Sequence, residues 1–533
     1  MGGVTSSVGY YTRQATGLVR DISLADTLWL NLSFMSVPYA LLVATTAPSS
    51  FPGSNLLLVA VIGTLLAVPP AIMWGQLAQA MPRSGGDYVF NSRILHPIIG
   101  FAANFSVTMW YVLVIALLAS LIPAFGISAA LSTIGAATDN QNMIDMATTV
   151  TGKEWQFVVG AATLIAVALL MSLSLRTAMR VFAVAFALSV IGVVVALLLT
   201  AFNGNDAFRS AVSAFGGDYD QIIADAKAAG YTGYPSGIDW IATIGATPLA
   251  FFALGYGIAA PYAAGEVRGA RNVMTRALLL ALLIGGTITA IVLGLAARTF
   301  GEEWLGAATY LGIAGAAEYP FASAPFYFFF VAMLTDSAPL IIAMATSFVL
   351  AAAVPMVPTF LIATRSLFAW SFDRIIPDRV SEVSDRTHSP LWANGTVLVI
   401  ALIFLALTVF GPAEFYTVLF TAGAAEFLTF IVLAIAAAIF PYRRPDLYEA
   451  SPINRRWAGI PVITVAGVLS LVVYGIFEYS LWTNDLLGAN STPGLVATIV
   501  LAALPFAIYG ISYVWNRRRG VDLGLAFETL PPE

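Results

Sequence analysis

The chain has 533 residues, of which 59% are hydrophobic and only 10% charged. Soluble domains carry about a quarter charged residues, so this composition excludes a soluble multidomain protein and indicates a polytopic membrane protein. The net charge of −5 is uninformative by itself, and the lack of any cysteine excludes disulfides, thiolate metal sites and thiol redox switches.

The first 24 residues are polar, which predicts that the first span directs insertion without a cleaved leader. A helix needs about 20 apolar residues to cross a bilayer. Twelve stretches qualify, at 25–46, 55–78, 97–125, 156–173, 178–202, 241–263, 274–298, 336–366, 390–411, 413–440, 459–482 and 493–515. Two of them are interrupted near their middles. Leu28 to Thr46 is broken at Ser36-Val37-Pro38-Tyr39, and Ile241 to Ala264 at Gly255-Tyr256-Gly257, between Pro248 and Pro261. An unpaired peptide group in hydrocarbon costs several kcal/mol, so a helix breaks at membrane depth only where protein or a water-filled cavity supplies partners. Paired breaks at corresponding positions point to a transporter's binding site.

With the termini placed in the cytoplasm, twenty of the 24 Lys and Arg fall on that side. Only Lys153, Arg209, Lys227 and Arg298 lie outside, as the positive-inside rule requires. The outer loops are acidic. The longest, 203–240, is expected to carry a short helix at Tyr219 to Ala229. Phe321 to Leu334 reads either as a helix folded over the outer face or as an early start to the eighth span, which would bury Asp336.

The loop Pro82-Arg83-Ser84-Gly85-Gly86-Asp87-Tyr88, followed by Arg93 and Gly100-Phe101, resembles the turn after helix 2 in the amino acid-polyamine-organocation superfamily. Further resemblances follow in order: Gly265-Glu266-Val267-Arg268 after helix 6, Arg365, Ala369, Asp373 and Pro377 at the end of helix 8, and Thr387-His388-Ser389-Pro390 before helix 9. The resemblance implies an amino acid permease-like chain with an all-α LeuT-like fold. Its parts would be a cytoplasmic segment 1–24, a first inverted repeat 25–202, an outer loop 203–240, a second repeat 241–440, two added helices within 441–516, and a cytoplasmic tail 517–533. It also implies transport by alternating access.

Helix ends at a midplane break offer N–H groups to a carboxylate and carbonyls to a cation. Relatives place a Gly-Ser-Gly type stretch at the helix 1 break, where this chain has Val37, Pro38 and Tyr39. Pro38 cannot donate, so Ser33 and Ser36 are the expected replacement donors. At the helix 6 break, Phe252 and Tyr256 beside Gly255 and Gly257 are candidate aromatic gates, with Trp110 of helix 3 as a further substrate contact. The helix 5 position where some relatives carry a coupling Lys is Ser189. A sodium site like that of LeuT-like transporters would use Thr346 and Ser347, whereas Glu426, the one carboxylate well inside a span, is a candidate proton carrier. No cofactor is expected beyond Na+ or H+ as coupling ion, and no metal beyond a sodium site.

The expected function is secondary transport of an amino acid or related small solute across the plasma membrane, with the lipid bilayer as surroundings and no nucleic-acid partner. An uncoupled facilitator or channel, or a carrier of polyamines or other organic solutes, is the alternative. Enzyme chemistry is not expected: there is no His-Glu-x-x-His, and the two histidines, His96 and His388, lie in different loops.

Overall fold

The computed structural model describes residues 17–35, 37–138, 140–235, 237–255, 257–321, 324–412, 415, 418, 423–483, 490–524 and 527; the side chains of residues 37–40, 125, 137, 252 and 351 are outside that description. The described residues are mostly helical, with one short antiparallel pairing of Arg456–Trp457 and Ile460–Pro461. Among the described residues, nine helices are long and apolar enough to cross a membrane, and Trp240–Phe251 and Ala338–Leu350 are shorter apolar ones.

The first expected span is helical over α1 (Leu24–Met35) and α2 (Val37–Ser50), and Ser36, at its expected break, lies outside the described residues. A long apolar helix, α3 (Leu56–Ala80), follows, capped by the Asn55 side chain. The short α4 (Asp87–Ile94) leads into α5 (Pro97–Leu121). Apolar sequence continues past the expected end at 125, because Pro123 is absorbed in a widened π turn, Ile122–Ile127, and the helix resumes as α6 (Ser128–Ala137). Then come α7 (Gln141–Thr149), α8 (Lys153–Ser172) and α9 (Leu175–Phe202).

The long loop holds two surface helices, α10 (Asn205–Ala214) and the expected α11 (Tyr219–Ala228). The sixth expected span divides into α12 (Trp240–Leu254), capped by Asp239, and a single turn, α13 (Ala259–Tyr262). After α14 (Ala270–Phe300) and α15 (Glu302–Ala314), the ambiguous stretch forms its own short helix, α16 (Tyr327–Ala332). Asp336 is exposed. The segment expected to run unbroken over 336–366 is interrupted. Pro355 lacks an N–H and its ring crowds the preceding turn, so α17 (Ala338–Ala353) stops and α18 (Met356–Phe372) starts afresh. The chain closes with α19 (Leu391–Phe410), α20 (Gly423–Arg443), α21 (Pro445–Glu449), α22 (Val462–Thr483) and α23 (Thr492–Arg518).

Small residues let α3 lie close against α14: a side chain at Gly75 would strike Thr275, and one at Gly286 would strike Thr64. Buried apolar residues form two clusters, one containing Trp74, Phe90 and Tyr262, the other Phe208, Phe300 and Trp304. The loops holding Arg20, Arg83, Arg93, Arg268 and Arg444 gather at one end of the bundle, tied by Ile22 to Val267, Ser84 to Ala263 and Arg444 to the Arg93 carbonyl. We call this the basic end.

Candidate functional site

The sixth-span break meets the end of α1. Met35, the last residue of α1, presses its side chain against Gly257 in the sixth-span break and against Gly285 of α14; a Cβ on either glycine would collide with it. Asn31, one turn earlier on α1 and fully buried, accepts a hydrogen bond from the Ala260 N–H at 3.0 Å. An orphan amide of the sixth span is thereby satisfied by the first. The Asn31 side-chain NH2 is buried with no partner among the described residues. On the opposite side of the break Gly255 N–H returns to the Phe251 carbonyl at 2.6 Å, and the Phe251 ring stacks on Phe477 with centroids 4.1 Å apart.

Of the residues expected at the first break, Ser33 is buried and donates to the Leu30 carbonyl of its own helix at 2.9 Å. Ser36 and Tyr256 lie outside the described residues, as do the side chains of Val37, Pro38, Tyr39 and Phe252.

Two other expected residues meet each other. Trp110 of α5 donates its indole N–H to Glu426 of α20 at 2.8 Å, and both are buried. Ser347 donates to the Ser189 carbonyl, joining α17 to α9, while the Ser189 hydroxyl returns to Phe186 at 2.7 Å. Thr346 is exposed, so the adjacent hydroxyls of Thr346 and Ser347 do not share a face.

Below the breaks, the basic end is shut. Trp74 packs against Phe90, Tyr262 and Phe430, and Tyr262 also meets the edge of Tyr111. Under this aromatic layer the turn at Gly85 and Gly86 has φ of 116° and 52°. Only glycine enters this region freely, and a Cβ on Gly86 would overlap the Tyr262 ring. Gly85 N–H can therefore reach the Tyr262 carbonyl, at 2.9 Å.

Arg365 grips Glu266 through two hydrogen bonds of 2.6 and 2.7 Å, with side-chain exposures of 3% and 1%. Arg93 and Tyr88 converge on Asp373 Oδ2 at 2.7 and 2.8 Å, also buried. At the surface, Asp21 bridges Arg268 and Arg176, whose hydrogen bonds hold its carboxyl below the usual range. The N-terminal segment, the turn after α3, the segment after α13 and the end of α18 are thus one connected seal.

Asn31, Asp87, Tyr262 and Asp373 were not singled out as site residues from the sequence. The available signals were polar or charged residues inside or immediately beside apolar segments. A three-carboxylate, four-cation seal has no local sequence pattern, because its ion-paired partners are as much as 280 residues apart, as in Arg93 and Asp373.

A family model described as amino acid permease matches residues 22–505. A search of curated protein sequences finds no match.

Proposed function

The chain belongs to the amino acid permease family, and from that premise we propose that it is a secondary transporter of amino acids or related small organic solutes, working by alternating access around its broken first and sixth spans. The chain is a multi-pass membrane protein of a permease family.

In our reading α1 with α2, α12 with α13, and α17 with α18 each cross as one interrupted span, which with the nine continuous helices makes twelve. Residues 25–202 and 241–440 are the two inverted repeats of a LeuT-like fold, 203–240 is the outer loop, and 441–516 adds two spans. The basic end faces the cytoplasm at the plasma membrane and carries both termini, as the positive-inside rule favours.

The observation that carries this reading is the packing of α1 on the sixth-span break, with Met35 against Gly257 and the Asn31 carbonyl oxygen on Ala260 N–H. In our reading Ser36 interrupts the first span at the level of the sixth-span break, and backbone groups freed there give an amino acid's carboxylate and ammonium their N–H and C=O partners. We assign Ser33, Ser36, Val37, Pro38 and Tyr39 from the first break, and Phe252, Gly255, Tyr256 and Gly257 from the second, to the substrate region. Trp110 borders it through Glu426, and Na+ or H+ is the coupling ion.

The test is uptake of a radiolabelled panel of L-amino acids by liposomes holding the purified protein, with Na+ and H+ gradients imposed separately. Accumulation above the bath concentration under one gradient is the expected result. Equilibration without accumulation would indicate a facilitator, and no uptake of any panel member would remove the amino acid assignment.

A further inference from the structure

We propose that Asp87 is a proton-binding site built into the closed basic end, holding its proton while that end is shut and releasing it to cytoplasmic water when the end opens. The inference rests on the reading of this end as a cytoplasmic gate, but its test requires no substrate.

Asp87 begins α4, directly after the Gly85-Gly86 turn that docks on Tyr262. Its side chain is fully buried. One carboxyl oxygen accepts from the Asn104 amide at 2.8 Å, and the Asn104 oxygen in turn accepts from the Trp370 indole at 2.7 Å. The other oxygen has no close hydrogen-bond donor among the described residues. The Tyr262 hydroxyl, also buried, faces the carboxyl closely enough to act on it, and one turn along α4 the Asn91 amide is buried without a partner among the described residues. A buried carboxylate with one hydrogen bond and no cation is a costly arrangement; a carboxylic acid in the same place is not.

The charged neighbours are spoken for. On its own helix, Arg93 and Tyr88 are bound to Asp373 of α18. Arg365 of α18 is bound to Glu266, and Glu426 of α20 takes the Trp110 proton donor. Tyr262 is the one titratable side chain that acts on the Asp87 carboxyl. Burial pushes that carboxyl up to about 7, against smaller downward pulls from Tyr262 and Asn104.

Opening the end must part Gly85 from Tyr262, since that hydrogen bond and the Ser84–Ala263 bridge close it. Water then reaches Asp87, its pKa returns towards ~3.9, and the proton leaves as the carboxyl becomes carboxylate. The sign follows by linkage. The closed form has the raised pKa, so it is favoured at low pH and loses its advantage as pH rises through about 7. Between pH of about 5.5 and about 8.5 the ratio of open to closed forms rises about thirty-fold for these two pKa values.

Two measurements test this. In difference infrared spectra of the lipid-reconstituted protein, a protonated-carboxyl band should titrate near neutral pH, vanish in Asp87→Asn and persist in Glu426→Gln. The chain has no cysteine, so Ala263→Cys supplies a single buried thiol. Its labelling by a membrane-impermeant maleimide is divided at each pH by that of the exposed Glu382→Cys. The ratio should climb about thirty-fold over the stated range and stay low and flat with Asp87→Asn. Should Asp87→Asn not fold, Tyr262→Phe serves instead: loss of its downward pull moves both midpoints to higher pH. A band indifferent to Asp87→Asn, a labelling curve unchanged by it, or midpoints unmoved by Tyr262→Phe would overturn the proposal. None of these outcomes depends on whether amino acids are carried.

Discussion

Removal of either partner from the Glu266–Arg365 pair should spring the basic end open. The two hydrogen bonds are short, both side chains are almost inaccessible, and the Glu266 carbonyl also accepts the Ile22 N–H at 3.0 Å. Loss of one member leaves the other charge buried alone, which costs about 3–5 kcal/mol. If that cost falls on the closed form only, the open-to-closed ratio rises roughly a hundred- to a few-thousand-fold. The assay is maleimide labelling of Ala263→Cys at fixed pH in the backgrounds Glu266→Gln, Arg365→Met, and the double replacement Glu266→Leu with Arg365→Met. Each single change should accelerate labelling until it saturates. The double change, which buries no lone charge, should return close to the parent rate, because a buried ion pair and an apolar pair of similar volume are often near equal in stability. If the singles label at the parent rate, or if the double labels as fast as the faster single, the pair is not a desolvated lock and the reasoning fails.

Other consequences are more local. Gly257→Ala puts a methyl into Met35, so the apparent melting temperature and amino acid uptake should both fall, by the equivalent of about 1–3 kcal/mol for overpacking, and Met35→Ala in the same chain should recover part of the loss. Glu426→Gln keeps an acceptor for the Trp110 indole and should melt near the parent, whereas Glu426→Ala leaves that buried N–H unmet at a cost of about 1–3 kcal/mol; equal melting of the two variants would refute this. Asp239 accepts from the N–H groups of Ile241 and Ala242 at 2.9 and 3.0 Å. Asp239→Ala should therefore lower stability by about 1 kcal/mol and Asp239→Asn by much less, as read by thermal unfolding in detergent.

The sequence determined the class of the protein and the positions of its main features, because bilayer solvation acts on each segment separately. Apolar length marks a spanning helix, arginine placement marks its orientation, and Pro or Gly in mid-span marks an interruption. The sequence reading found the sixth-span break, the surface helix at Tyr219–Ala228 and Glu426 as a buried acid, while the expected break at Ser36 lies outside the described residues. It did not find the interruption at Pro355, although the proline was visible, since apolar length alone cannot tell one long span from two stacked helices.

Tertiary structure decided which polar groups were taken and which were left over. Ser347, read as half of a hydroxyl pair, donates to the Ser189 carbonyl, and Trp110, read as a substrate contact, donates to Glu426. Asp87 was one letter in a loop motif until folding buried it between Asn104 and Tyr262 without a cation. Whether a buried polar atom finds a partner depends on residues tens to hundreds of positions away, and one unmet hydrogen bond in low dielectric outweighs any local preference that sequence alone expresses.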